Sequence, residues 1–395
     1  MPKKLVLICL INFLIAALIG LALRYNFINS INFNYRFLTH AHSHIAMLGW
    51  VYLMLFTLLV HYFIPDKKPV YNGLFWITEF AVVGMMLSFP FQGYAAVSIS
   101  FSTLHVFCSY YFVYLIWKHH KIDHLPSRYL LKASLLFMLL STVGIWCLGP
   151  AVIMLGKATA FYQIAIQFFL HFQFNGWFLI AVIAVFFHII QLKDSKRFRL
   201  FFRLLIISTL LTLALPVNWY APHNFLYWIN AMGVLMQVYA LILFLKLIRP
   251  YQILLLKENS KLTLYLFSFA IFCFVLKSVL QLLSLSPEIS QVAYQHRNLV
   301  IGFIHLSMLG VVSGFLFFFI LRSSLVINNM TLRLGIYTFV LGFILTEIIL
   351  IIQGGMFYME SGFMPNYYLL LFVFSLLIPL GILLIITNIL KHKNA

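Results

Sequence analysis

Twelve apolar runs, each long enough to cross a lipid bilayer as a helix, make up most of this 395-residue sequence. A helix needs about 20 apolar residues to span roughly 30 Å of hydrocarbon. The runs lie at residues 5–24, 41–64, 73–92, 97–117, 129–155, 161–190, 200–218, 223–247, 261–284, 297–321, 332–353 and 365–390. Only 9% of the residues are charged, against about 25% in a soluble domain. The sequence therefore predicts an all-α polytopic membrane bundle of about 12 transmembrane helices, forming a single membrane domain over residues 1–395.

The basic residues predict how this bundle is oriented. The formal net charge is +18, and the lysines and arginines concentrate in every second connection, as at Lys67 and Lys68. By the positive-inside rule both termini are cytoplasmic, which agrees with an even number of spans. The basic residues form no patch or tail, so we expect the lipid bilayer as a partner and no nucleic acid.

Eight of the 14 histidines fall in the outer half of the predicted bundle, counted at 1.5 Å of rise per residue. They are His40, His42, His44, His105, His171, His223, His296 and His305. A lone histidine in a membrane helix is often a hydrogen-bonding group between helices. Several ionisable side chains at one depth are costly, however, unless they meet a ligand or one another. Neutral imidazoles on different helices are suitable ligands for a heme iron or a copper ion.

Two segments resemble the catalytic subunit of heme-copper oxidases, most closely the C-type oxidases and nitric oxide reductases. The segment Arg36-Phe-Leu-Thr-His-Ala-His42-Ser-His-Ile-Ala-Met-Leu-Gly-Trp50 is similar to the second helix of that subunit, and His42 takes the place of a low-spin heme ligand. In the tenth run, Ile-Gly-Phe303-Ile-His305 is similar to the family's HxH segment. His305 matches the second low-spin ligand, whereas Phe303 stands where the high-spin heme ligand is expected.

Two further segments resemble the copper-binding part of the same family. His171-Phe-Gln-Phe-Asn-Gly-Trp-Phe looks like the segment whose histidine binds copper in C-type enzymes. Ala-Pro222-His223-Asn224 is similar to the family's Pro-His-His, with asparagine in place of the second histidine. The resemblance covers the number of spans, their orientation and four motif positions.

The resemblance implies an integral-membrane protein that binds at least one low-spin heme, expected to be b-type, through His42 and His305. It implies a remnant copper-type site at His171 and His223, and leaves the copper content open. The missing ligands could be supplied by other outer histidines, which are His40, His44, His105 and His296. Because several active-site ligands are replaced, reduction of oxygen or nitric oxide is left open.

Three basic side chains are candidates for contacting the heme propionates, namely Arg36, Arg297 and Lys277. Lys277 and Glu347 both fall in the outer half, so an ion pair between them is an alternative. Glu79, in the third run, is a candidate for the start of a proton path or for a hydrogen-bonded structural carboxyl. The implied partners are other respiratory subunits or a cytochrome or quinol electron donor, in a bacterial inner membrane.

Two other functions are open from the sequence. The histidine-rich start of the second run also resembles membrane heme and copper proteins of the nitrosative-stress type. A transporter or sensor that handles metal ions or protons without heme is the alternative from another class. Such transporters often show internal repeats, and no repeat is apparent in this sequence.

Overall fold

The computed structural model describes residues 1–392, and this part of the chain contains helices and connections but no strand. Twelve helices within it are long and apolar enough to cross a membrane. They are α1 (Lys3–Tyr25), α2 (Tyr35–Phe63), α3 (Pro69–Gln92), α4 (Ala96–His119), α5 (Leu125–Met154), α6 (Ala160–Ile189), α7 (Lys196–Tyr220), α8 (Asn224–Glu258), α9 (Lys261–Leu283), α10 (Arg297–Arg322), α11 (Met330–Tyr358) and α12 (Tyr367–Lys391). The predicted all-α polytopic membrane bundle is confirmed.

Polar capping residues determine where several helices begin. The first N–H groups of a helix have no intrahelical acceptor, and a preceding Asn, Ser or Thr supplies one. Asn34 accepts hydrogen bonds from the backbone N–H groups of Arg36 and Phe37, at 3.0 and 3.2 Å. Thr159 caps α6 and Asn329 caps α11 in the same way. As a result α2 begins six residues before the apolar run at residue 41.

Two helical stretches extend beyond what hydropathy predicts. The apolar run of α8 ends at residue 247, but the helix continues through a 3₁₀ turn, Arg249–Tyr251, into Gln252–Glu258. A short helix, Pro287–Gln295, occupies the connection between α9 and α10. It is too short and too polar to register as a membrane span, and its start is capped by the Ser286 hydroxyl.

The helix faces that point away from the protein carry large apolar side chains. Ile153 is 86% exposed, Phe91 73% and Trp228 68%. So much exposed apolar surface is unfavourable in water, whereas it is compatible with the hydrocarbon of a membrane. The chain is a multi-pass membrane protein.

The chain divides into two compact units, and the division falls within α10. Unit 1 comprises residues 1–121 and those from Leu316 onward, and unit 2 comprises residues 122–315. In unit 1 the rings of Phe13 and Trp50 stack with centroids 4.7 Å apart. In unit 2 the rings of Phe187 and Phe244 stack at 5.7 Å. The single membrane domain over residues 1–395 stays a prediction. Below, the outer end means the end at which the even-numbered helices begin.

Candidate functional site

Three π-helical segments occur in the described chain, and each begins directly after a histidine. They are Ile45–Tyr52 after His44 in α2, Phe172–Phe178 after His171 in α6, and Leu306–Val312 after His305 in α10. A glycine stands five residues after each histidine, at Gly49, Gly176 and Gly310. π-helical segments are rare and are frequent at functional sites. The structure thus reveals a repeat, every fourth span, that was not apparent in the sequence because only His-x₄-Gly recurs.

Burial changes at the same point in all three helices. The outer, α-helical part of each has at most two buried residues, which are Leu38 and Ala41 in α2, Ala165 in α6 and Gly302 in α10. The π-helical segments that follow are almost fully buried. In the apolar windows of α2, α6 and α10, 72–78% of residues are buried, against at most 56% in the other spans. These three helices therefore combine an extensively buried segment with a half-buried histidine directly before it.

The glycines of the repeat allow close packing behind the π-helical segments. A Cβ atom at Gly49 would lie 2.9 Å from Cγ1 of Val82 and 3.0 Å from Cβ of Asn12. At Gly176 it would lie 2.6 Å from Cγ of Phe137. Carbon atoms in contact are ordinarily about 3.5–4.0 Å apart. A larger residue at either position would push the π-helical segment away from its neighbours.

The imidazole of His42 is held by α1. Its Nδ1 lies 2.8 Å from the backbone carbonyl oxygen of Ala16, and Gly20 packs against the ring. An N–H on Nδ1 that donates to this carbonyl leaves the lone pair on Nε2, which is how metal-ligating histidines are usually oriented. A Cβ at Gly20 would lie 2.8 Å from Cε1 of the ring. The geometry of His42 fits an axial heme ligand.

His44 faces different neighbours. Its Nδ1 lies 2.8 Å from the carbonyl oxygen of His40, and its Nε2 lies 3.2 Å from the hydroxyl oxygen of Tyr94. Its ring also packs against Phe89, with centroids 4.4 Å apart. The ring of His40 is 4.6 Å from that of Tyr94. By its place in the repeat, His44 rather than His42 is equivalent to His171 and His305.

His105 is the most buried of the predicted outer histidines. Its side chain is 3% exposed, and its Nε2 has no hydrogen-bond partner among the described residues. The ring contacts Tyr52 of the π-helical segment edge-on at 4.6 Å. Nothing in the sequence distinguishes His105 from the other outer histidines, whereas its burial and its contact with the π-helical segment do.

His305 lies within α10, and His296 directly precedes this helix. His305 is half-buried and ends the α-helical part of the helix, directly before the π-helical segment. His296 is the N-cap residue of α10, although its side chain makes no capping hydrogen bond. Arg297 follows it and is exposed, as Arg36 is at the start of α2.

His171 and His223 are each engaged within unit 2. Nε2 of His171 lies 2.7 Å from the carbonyl oxygen of Thr209. His223 is exposed, and its Nδ1 accepts the backbone N–H of Phe225 at 3.1 Å, which caps α8. No three His, Cys, Asp or Glu side chains within residues 1–392 gather closely enough to hold a metal ion. The described residues do not assemble a copper site.

A buried polar network behind the α2 π-helical segment includes a residue that sequence reasoning missed. The Asn12 carboxamide donates to Oε2 of Glu79 at 2.8 Å and to the carbonyl oxygen of Gly49 at 3.2 Å. Asn12 is 2% exposed and Glu79 8%. Glu79 is thus a hydrogen-bonded carboxyl that is tied to the π-helical segment. The signal that could have identified Asn12 is a polar residue within the first apolar run.

No family model and no curated protein matches this sequence at a meaningful level.

Proposed function

We propose that the protein is an integral-membrane heme protein of the heme-copper oxidase type, with His42 and His305 as the axial ligands of a low-spin heme. The observation that carries the proposal is the imidazole of His42, which a backbone carbonyl orients and Gly20 accommodates. A carbonyl on Nδ1 fixes the tautomer and raises the basicity of Nε2. The π-helical segment directly after His305 is the supporting feature on α10.

On this proposal His42 and His305 would hold a heme, which would supply a one-electron Fe³⁺/Fe²⁺ couple. The Ala16 carbonyl keeps the His42 imidazole in place. The proposed role is respiratory electron transfer in a bacterial inner membrane, with a b-type heme and with respiratory subunits or a cytochrome or quinol as electron donor. Reduction of oxygen or nitric oxide would need an open coordination position, which carbon monoxide binding to the reduced protein detects.

The orientation of the chain is part of the proposal. The lysine and arginine bias places both termini in the cytoplasm. A fluorescent protein fused to the C-terminus should fluoresce in a bacterial host, and an exported alkaline phosphatase fused there should be inactive. The opposite pattern would refute the orientation.

The experiment that tests the heme assignment is the optical spectrum and heme content of the purified protein. The His42→Ala and His305→Ala variants should each lose the bis-histidine spectrum, because one axial position opens. His61→Ala is the matched control, since it removes an imidazole from the inner end of the same helix as His42. Absence of heme, or a bis-histidine spectrum that survives the double variant, would overturn the proposal.

His44→Ala tests the choice of His42 over His44 as the ligand on α2. If the repeat identifies the ligand, His44→Ala loses the low-spin spectrum and His42→Ala keeps it. If the resemblance and the hydrogen bond to Ala16 identify the ligand, the opposite holds.

A further inference from the structure

A lysine is buried in the outer half of unit 2 without an acidic partner there. Lys277 of α9 is 2% exposed. Its Nζ lies 2.9 Å from Oε1 of Gln281, one turn further along the helix, and 5.4 Å from the ring centroid of Phe303. An amide oxygen and an aromatic face are both weak substitutes for a negative charge.

The carboxylates of unit 2 stand elsewhere. Asp123, Asp194 and Glu258 lie at the inner end, and Glu288 is in the short helix, where it accepts a hydrogen bond from the Ser286 hydroxyl. Asp194 is paired with Arg199 at 2.7 Å. A charged lysine in a membrane span costs at least about 2.5–3.5 kcal/mol on insertion scales. A bound anion would offset that cost.

A cavity of about 340 Å³ opens at the outer end of the same unit. Its polar lining is uncharged, with Asn218, Asn230, Ser284, Ser290 and Gln291 among the residues. Asn230, which also lines the cavity, is 2% exposed. A neutral polar lining lets a small anion pass, whereas a fixed positive charge in the lining would hold it there.

The cavity and the lysine share one face of α9. Positions 277, 281 and 284 are separated by four and three residues, so their side chains lie on the same side of the helix. Ser284 lines the cavity, and its hydroxyl donates to the carbonyl oxygen of Gln281 at 2.7 Å. Seven residues correspond to about 10 Å along the helix axis. Gln281 and Ser284 therefore lie between the buried ammonium and the cavity on this face of the helix.

We propose that Lys277 and Gln281 bind a small monovalent anion of the carboxylate or nitrite type, which enters through this cavity. The ammonium and the amide N–H groups of Gln281 supply the donors. The same chemistry would bind a free anion or a heme propionate, and only the second source rests on the proposed function.

Azide is a suitable probe, since its infrared stretch is isolated from protein bands and shifts when an ammonium donates to it. The purified protein in lipid nanodiscs is titrated with azide, and bound azide is then displaced with formate. Lys277→Met should weaken binding about tenfold or more, because it removes a charged donor. Lys277→Arg should retain binding. Lys157→Met is the matched control, since it removes one exposed positive charge from the outer end of the same unit.

Azide that binds heme iron is distinguished by its effect on the heme optical spectrum. A shifted azide band in heme-loaded protein, lost in Lys277→Met and kept in Lys157→Met, supports a free anion as the ligand. A shift only in heme-free protein supports a propionate. A protein that contains no heme and still binds azide through Lys277 would refute the proposed function and leave the anion site standing. No Lys277-dependent shift in either form would overturn the anion site.

Discussion

Replacing Gly20 by alanine tests whether the position of the His42 imidazole matters. The added Cβ would lie 2.8 Å from Cε1 and 3.0 Å from Nδ1 of that ring. Carbon contacts are ordinarily about 3.5–4.0 Å, so the ring has to move by roughly 0.7 Å or more. The hydrogen bond from Nδ1 to the Ala16 carbonyl is 2.8 Å long. A displacement of that size brings it to about 3.5 Å, where it is lost.

The expected effect falls on heme affinity more than on stability. Loss of the group that orients a metal-ligating histidine typically lowers metal affinity about 10- to 100-fold. Overpacking costs about 1–3 kcal/mol, but replacing glycine by alanine within a helix returns about 1 kcal/mol. We therefore expect Gly20→Ala to fold, to melt within a few degrees of the unmodified protein, and to lose heme about 10- to 100-fold more readily.

The assay is transfer of heme from the purified protein to apomyoglobin, followed by its optical spectrum. Gly73→Ala is the matched control, because it adds the same methyl group to a helix of the same unit and no atom lies within 4 Å of the new Cβ. It should leave heme transfer unchanged. Equal heme loss in the two variants would refute the reasoning that the Ala16–His42–Gly20 contact orients a ligand.

Three further predictions concern stability. Gly144→Ala places a Cβ 2.4 Å from the Ala165 carbonyl oxygen, so thermal unfolding should show a loss of about 1–3 kcal/mol, whereas Gly149→Ala, with no atom within 4 Å, should show none. Burial lowers the pKa of His124 below its usual 6.5, although its hydrogen bond to a carbonyl acts in the opposite direction. The neutral imidazole therefore stabilises the folded protein fully above about pH 6.5, and this stabilisation is lost as the pH falls toward the lowered pKa. His124→Ala should therefore reduce the difference in melting temperature between about pH 7.5 and about pH 5, and an unchanged difference would contradict this. The Asn388 carboxamide bonds the backbone N–H and the carbonyl oxygen of Ile327, at 3.1 and 3.0 Å, in the connection before α11. Asn388→Leu leaves both backbone groups without this partner, so a denaturant titration should show stability lowered by about 1–3 kcal/mol.

Where the helices begin and end depends on polar residues that a hydropathy pattern does not detect. Hydropathy located all twelve spans, but it could not find the six extra residues that Asn34 adds to the start of α2. Capping is a local hydrogen-bond effect, and polar residues such as Arg36 remain helical once the chain leaves hydrocarbon. The short helix Pro287–Gln295 was missed for the same reason.

Side-chain direction was beyond the reach of the sequence. His42 and His44 are two residues apart, and the resemblance assigned the first. The structure turns His42 toward Ala16 and Gly20 of α1, and His44 toward Tyr94. Two positions on a helix differ by about 200° in direction, so which of them meets a given neighbour depends on the rotation of the whole helix.

What the sequence alone determined is the number of spans, the helical class and a set of outer histidines. Hydrocarbon forces every backbone polar group into hydrogen bonds within its own segment, so apolar length is sufficient to predict a helix. Only the tertiary structure showed that His44, His171 and His305 each stand at a change from α-helix to π-helix, and that Lys277 lies buried beside Gln281 and the ring of Phe303. A π-helical segment depends on how neighbouring helices pack against it, and the burial of a charge depends on what covers it. Neither is encoded in the local pattern of any one span.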